Sequence, residues 1–352
     1  MKTISIGGRF VGDGHPCLII AEAGINHQGN AQIARRLIDV AAEAGADVVK
    51  FQKRTVNRIL TREGLELPYQ HRHSFGKTYG EHKRALELSM EDYRELKTHA
   101  EEKGLLFMAS AWDEESVDFL EQLRVPAHKA ASADLTNIPL LEHMAQTGKP
   151  LLLSTGMSTL EEVDQAVAAV ERHHDQIILL QCTSTYPSEF DQINLRVMQQ
   201  YRERYGLLVG YSGHEKGIAI PPAAVALGAC VVERHFTLDR TMKGGDHAAS
   251  LEPQGLTKMV RDIRALEIAL GDGEKRIYDS ERPIRRKLAK SVVSATDLAA
   301  GTVLTRQMLT TKGPGTGIPA SKLYDLIGCT VDHDIPADTV LHEEDIVWQE
   351  CE

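Results

Sequence analysis

The stretch Leu207–His247, LLVGYSGHEKGIAIPPAAVALGACVVERHFTLDRTMKGGDH, decides how the rest of the chain is read. Leu207 to Tyr211 is an apolar run of strand length that ends in Ser212, Gly213 and His214. Ile218 to Gly228 is rich in small residues and reads as a helix, with Pro221 and Pro222 tolerated near its first turn. Ala229 to Val232 is a second buried run, ending in Glu233, Arg234 and His235. Two histidines therefore stand at the carboxyl ends of two adjacent parallel strands. In an α/β barrel that face carries the chemistry. Neutral imidazoles suit Mn, Fe, Zn or Ni, and two of them leave coordination positions open for water and substrate. A lone histidine there is better read as a strand cap. The matched pair, followed by Lys243-Gly244-Gly245-Asp246-His247, favours metal.

The same rhythm runs back to the amino terminus. Strands are expected at Cys17–Ala21, Asp47–Phe51, Leu105–Ala109, Ala127–Ala131, Leu151–Leu153 and Gln176–Leu180. Helices are expected from Asn30 to Ala44, from Ser89 to Gly104, and over Glu114–Leu123, Ile138–Gln146, Leu195–Arg204 and Gln254–Leu270. Ser158 and Glu161 read as the capping box of one more. A polar insert, Lys53 to Leu88, lacks strong periodicity, which marks a functional or mobile connection.

Eight strand–helix units in about 270 residues match the size of a (β/α)8 barrel. A doubly wound open sheet would alternate in the same way, but no GxGxxG or GxxxxGK[ST] loop supports one. The polar residues decide for the barrel. Nearly every strand ends in one: Glu22, Lys50 with Gln52, Ser110, Lys129 with Ser132, Ser154, Tyr186, Ser212 with His214, and His235. Only a closed barrel gathers all of these onto one rim. Two lysines near strand ends would be costly to bury without partners, so each is expected to meet an anion. The hydroxyls between them supply neutral donors of the kind that hold phosphate and carboxylate. Read alone, Lys50 has a simpler use as the partner of Glu22.

A formal net charge of −10 over 352 residues argues against nucleic acid or an acidic membrane as the main partner. The five cysteines (Cys17, Cys182, Cys230, Cys329, Cys351) lack metal spacing and read as reduced packing residues. MKTISIGGRF has no apolar signal core, so a soluble cytoplasmic protein without a membrane span is expected. The barrel is expected to end near residue 272, with a charged linker over 273–287. Residues 288–352 then form a small, mostly β unit whose core is marginal on its own.

These residues also carry a resemblance. The motifs IAEAGINHQG (Ile20 to Gly29), VKFQK (Val49 to Lys53), LSTGM (Leu153 to Met157), CTSTYP (Cys182 to Pro187), GYSGHE (Gly210 to Glu215) and ERHFTLDRTMKGGDHAASLEP (Glu233 to Pro253) resemble the sialic acid synthase family. That family joins a TIM barrel to a C-terminal antifreeze-like (SAF) domain. It condenses phosphoenolpyruvate with an N-acylmannosamine. HSFGKTYGEHKRALE (His73 to Glu87) is similar to the animal-type members, which use the 6-phosphorylated sugar and make a sialic acid 9-phosphate.

The resemblance implies that His214 and His235 bind a divalent metal, Mn2+ or Mg2+, and that Glu22 is the acid/base. It implies that Lys50, Ser110, Lys129, Ser132, Ser184 and Ser212, with Ser154 beside them, hold phosphoenolpyruvate. Gln52, Tyr186 and Asp246 would hold the open-chain sugar. Lys77, Lys83 and Arg84, in the insert, are candidates for reading a 6-phosphate. The marginal C-terminal unit is expected to dock on a barrel, its own or a second subunit's, and docking across a two-fold axis would make a domain-swapped homodimer. Two departures stand out. Ala130-Ala131-Ser132-Ala133 replaces a stretch that usually has glycines flanking the serine, and the added methyls would crowd the enolpyruvate site. Lys312-Gly313-Pro314-Gly315 lacks the arginine that members using the unphosphorylated sugar carry there, which leans towards a phosphorylated substrate. The rival readings are the same reaction on free N-acylmannosamine or on mannose 6-phosphate, and a non-catalytic SAF-based carbohydrate-binding protein.

Overall fold

The structure, a computed structural model, describes residues 2–348; Cys351 and the last residues of the expected SAF unit lie outside them. The chain divides into two compact units, one through Gly271 and one from Asp272 onward. The first begins with an antiparallel pair, β1 (Thr3–Ile6) and β2 (Arg9–Gly12). Eight parallel strands follow: β3 (Leu18–Gly24), β4 (Val48–Lys53), β5 (Leu106–Ala111), β6 (His128–Ala130), β7 (Leu151–Ser154), β8 (Ile177–Cys182), β9 (Leu208–Gly213) and β10 (Val231–His235). They close into a barrel in chain order, β10 pairing with β3.

The period-2 alternation of the strands explains both cores. Outward residues such as Ile19, Ala21, Val49, Phe107, Leu153, Leu179, Val209 and Val232 pack under the surrounding helices. Inward residues run from apolar to polar along each strand. Leu18 and Ile20 precede Glu22, Val48 precedes Lys50 and Gln52, Met108 precedes Ser110, and Val231 precedes Glu233 and His235. The amino end of the barrel is therefore a packed floor. The hairpin covers it, with Ile4, Ile6 and Val11 in the same cluster as Leu18, Ile20, Val48 and Met108.

Several local expectations are met closely. Asn30 caps the helix Ala31–Glu43 by accepting from the backbone N–H groups of Gln32 and Ile33, and Ser89 and Asp92 form the capping box of Met90–Glu102. Others are corrected. The capping box before Leu160–Glu171 uses Thr159 and Glu162, one residue beyond the expected pair. The insert is built from short helices, Val56–Ile59, Arg62–Glu66 and Tyr79–Ala85, the last opened by a Thr78/Glu81 capping box. Arg282–Leu288 is helical, where a linker was expected.

The second unit is built on two antiparallel pairs, β11 (Ser291–Ser294) with β12 (Leu309–Lys312) and β13 (Thr330–Val331) with β14 (Ile346–Val347). Its own core includes Val292, Leu298, Leu304, Leu326, Ile335 and Leu341.

Candidate active site

Strand register sets the polar layer above the barrel floor. Glu22 pairs with Lys50 on one side and His235 on the other. Ser110 is level with both Gln52 and Lys129. Ser212 lies between Cys182 and Glu233. All face a cavity of about 220 Å³ at the carboxyl end of the barrel, which Ser132, Ser154, Ser184, Tyr186 and His214 complete. The structure thus gathers twelve of the sequence candidates around one pocket.

The floor of that pocket is a buried charge network. Lys50 Nζ lies 2.6 Å from Glu22 Oε2 and 3.5 Å from Glu233 Oε2, and it donates to Ser110 Oγ at 2.9 Å. Burial alone would lower the Lys50 pKa, but the two carboxylates hold it above its ordinary value. Burial pushes Glu22 up to about 7, with Lys50 opposing. Glu233 also suffers burial, yet Lys50 and Lys129 hold its carboxyl below the usual range. Lys129 is depressed by burial and donates to the Ala130 carbonyl at 2.7 Å rather than to a carboxylate. Ser154 Oγ is buried without a partner. An ammonium without a carboxylate and an unused hydroxyl, in one pocket, are what an incoming anion would satisfy.

The donor set fits a divalent metal with an open coordination sphere. The rings of His214 and His235 have centroids 5.4 Å apart. His214 Nδ1–H donates to the Thr183 carbonyl at 2.8 Å, so Nε2 is the ring nitrogen left to ligate; burial lowers this imidazole's pKa, but Cys182, the Thr183 carbonyl and Glu233 together hold it above its ordinary value. His235 Nδ1 is buried without a partner, and burial pushes that imidazole down to about 3, so it is neutral near pH 7. Asp246 Oδ2 stands 4.0 Å from His235 Nδ1 but is not among the residues that line the pocket. Among the described residues no three His, Cys, Asp or Glu side chains form a ready-made metal cluster. The remaining positions would therefore fall to water and substrate. The two histidine-bearing strand ends are clasped from behind by a fully buried ion pair of Arg234 with Glu215, to which Tyr211 donates at 2.6 Å.

The three basic residues of the insert are not brought together. Lys77 is exposed in the turn before Tyr79–Ala85. Arg84 is exposed and donates to Asn57 Oδ1 at 2.8 Å. Lys83 alone turns inward, over the rings of Tyr79 and Trp112. Sequence reasoning missed Glu233 and Trp112, which both line the pocket. The signal for Glu233 was its i, i+2 spacing from His235, which puts both on the inward face of β10.

The NeuB family profile matches residues 37–275, and an SAF domain profile matches residues 289–347. The chain belongs to the NeuB family. Among relatives, it is 47% identical to human N-acetylneuraminate-9-phosphate synthase, over 96% of this chain and 94% of that one. It is 40% identical to N,N'-diacetyllegionaminic acid synthase of Legionella pneumophila, over 97% of this chain and 96% of that one. Among solved structures, N-acetylneuraminic acid (sialic acid) synthetase from Leptospira borgpetersenii, in complex with citrate, aligns with a TM-score of 0.71 at 34% identity, covering 80% of this chain and 95% of that one.

Within this NeuB chain Ala131 and Ala133, beside Ser132, both line the pocket. Ala131 has φ −69° and ψ 159°, an extended conformation open to any residue. The close approach falls at Gly156 instead. A Cβ there would stand 2.2 Å from Ser184 Oγ and 2.8 Å from Ser132 Oγ, while the Gly156 N–H donates to Ser132 at 3.1 Å.

Proposed function

We propose that this NeuB-family chain condenses phosphoenolpyruvate with an N-acylmannosamine 6-phosphate, giving an N-acylneuraminate 9-phosphate and inorganic phosphate. The observation that carries the reading is the Lys50–Glu22–Glu233 network with Lys129 beside it, under two imidazoles, in a chain so close along its length to a 9-phosphate synthase.

In this reading Lys50 and Lys129, with the hydroxyls of Ser110, Ser132, Ser154, Ser184 and Ser212, bind phosphoenolpyruvate and fix its enol carbon. Gln52, Tyr186 and Asp246 hold the open-chain sugar with its aldehyde above that carbon. His214 and His235 would hold Mn2+ or Mg2+, which when bound supplies Lewis-acid polarisation of the aldehyde. The enol C3 forms a bond to the aldehyde carbon, whose oxygen takes up a proton. Water adds to the cationic C2 and gives up a proton. The C2–O bond of the C–O–P bridge then breaks, the new C2 hydroxyl gives up its proton to become the ketone, and inorganic phosphate leaves with the bridging oxygen. Glu22, poised near neutral pH, is suited to take the water's proton and return it. Fixing both reactants against one wall converts a bimolecular encounter into an intramolecular one.

A domain-swapped homodimer belongs to the same reading. It is supported by the exposed Ile277, Tyr278, Ile284 and Leu288 early in the second unit. A reducing, cytoplasmic setting is supported by Cys17, Cys182, Cys230 and Cys329, all buried free thiols.

The test is phosphate release from phosphoenolpyruvate with N-acetylmannosamine, mannose and their 6-phosphates. The N-acyl 6-phosphate should react fastest, and 18O in the bridging position should appear in the phosphate. Preference for the free sugar or for mannose 6-phosphate would replace the substrate assignment. No turnover with any of the four would return the chain to a binding role.

A further inference from the structure

The wall between the insert and β5 holds more unsatisfied positive charge than the condensation chemistry uses. Trp112, just beyond β5, lines both the 220 Å³ pocket and a second cavity of about 570 Å³. Lys83 also lines the larger cavity, with its ammonium 5.0 Å from the Tyr79 ring centroid and 5.8 Å from that of Trp112. Among the described residues it forms no ion pair. The guanidinium of Arg54 lies 5.4 Å from the Trp112 centroid. Arg54 is 2% exposed, and although its Nε donates to Glu87 at 2.7 Å, its Nη2 is buried without an acceptor. Trp112 Nε1 is likewise buried and unsatisfied. Two donors at this indole are thus buried without an acceptor, a costly state, and the half-buried Lys83 beside them has no carboxylate partner among the described residues.

We propose that this Lys83–Trp112 wall, with Arg54 behind it, is the subsite that takes the sugar's 6-phosphate. The inference rests on the phosphorylated-sugar reading above. It assigns the phosphate to one lysine of the insert and leaves Lys77 and Arg84 outside. Burial and the Arg54 charge push Lys83 down to about 8, against the pull of Asp246 and Glu87, so it is a cation in want of a counter-ion. Trp112, which lines both cavities, is what joins Lys83 to the smaller pocket.

Of the carboxylates that line the larger cavity, Asp113 and Glu115 have partners of their own, and Glu114 and Asp134 remain. Asp113 accepts from the backbone N–H groups of Thr55 at 2.7 Å and Ser116 at 2.9 Å. Glu115 is paired with Arg58. Burial pushes Asp134 up to about 6, so it becomes neutral only below that pH and is mostly ionised at pH 7.

The experiment compares wild type, Lys83→Met, Lys83→Arg and Trp112→Leu on N-acetylmannosamine 6-phosphate and on N-acetylmannosamine, with phosphoenolpyruvate saturating. Lys83→Met should lower kcat/KM for the 6-phosphate by roughly ten- to 150-fold, mainly through KM, as expected for losing one charge-assisted contact. Its activity on the free sugar should stay within about twofold. Lys83→Arg should recover most of the loss, and Trp112→Leu should show a smaller loss with the same selectivity. Equal losses on both sugars would overturn the subsite and leave Lys83 a structural residue. A wild type that does not prefer the 6-phosphate would instead overturn the substrate reading, and this subsite with it. Melting temperatures of all four proteins separate either result from misfolding.

Discussion

The ammonium of Lys50 stands 2.6 Å from the carboxylate of Glu22, and neither side chain is more than 3% exposed. One cation thus serves two carboxylates at the bottom of the pocket, because Glu233 approaches the same nitrogen. The two partners should respond differently to removal. Lys50→Met leaves two buried carboxylates facing each other and should cost about 3–5 kcal/mol, read from the urea midpoint. Glu22→Gln leaves Lys50 paired with Glu233 and should cost much less, while lowering kcat by about 10²–10⁴-fold. Equal stability losses in the two variants would contradict this account of the network.

The metal is tested by removing it. Exhaustive chelation should abolish turnover, and Mn2+ or Mg2+ should restore it in wild type but not in His214→Ala. Calorimetric titration of metal into His214→Ala should show no binding at the site. Full activity in metal-free enzyme would sink the Lewis-acid step.

Gly156 offers a steric test of the enolpyruvate pocket. An added methyl must displace the hydroxyls of Ser184 and Ser132. Gly156→Ala should therefore raise the KM for phosphoenolpyruvate at least tenfold, by roughly the 1.5–3 kcal/mol of a charge-assisted contact, and change the KM for sugar far less. A change confined to the sugar would place these serines at the other substrate.

Asp134 supplies a pH test. Burial raises its folded pKa from 3.8 to about 6, above the unfolded value, so the fold favours the protonated form. Its contribution is fully present below the unfolded pKa and is lost as pH rises through about 6. Asp134→Asn should match wild type in stability near pH 4 and exceed it near pH 8, by about 1–3 kcal/mol. Thermal melts across that range decide it, and an advantage that does not grow with pH would refute the buried-charge account.

Much of the barrel was legible because its interior is written in alternate residues of each strand. Lys50 and Gln52, or Glu233 and His235, are polar where an inward position would otherwise be apolar, and only a shared rim explains them all. The hairpin Thr3–Gly12 was not legible. Its strands are four residues long, and what they bury against is a floor assembled from eight distant segments. Nor could spacing alone sort Lys77, Lys83 and Arg84. Which of them turns inward depends on the angle at which a seven-residue helix leaves its Thr78 cap. The cationic wall on Trp112 draws on residues from three separate stretches, and nothing local in the sequence joins them.

The hairpin under the barrel has a kinetic consequence. With Ile4, Ile6 and Val11 sealing the amino end, the described residues leave the carboxyl end as the doorway, and traffic through it would queue. On the proposed reading, phosphoenolpyruvate, bound against Lys50 and Lys129 on the inner layer, would be the molecule that enters first. The sugar, bound nearer the mouth, would then close the door behind it.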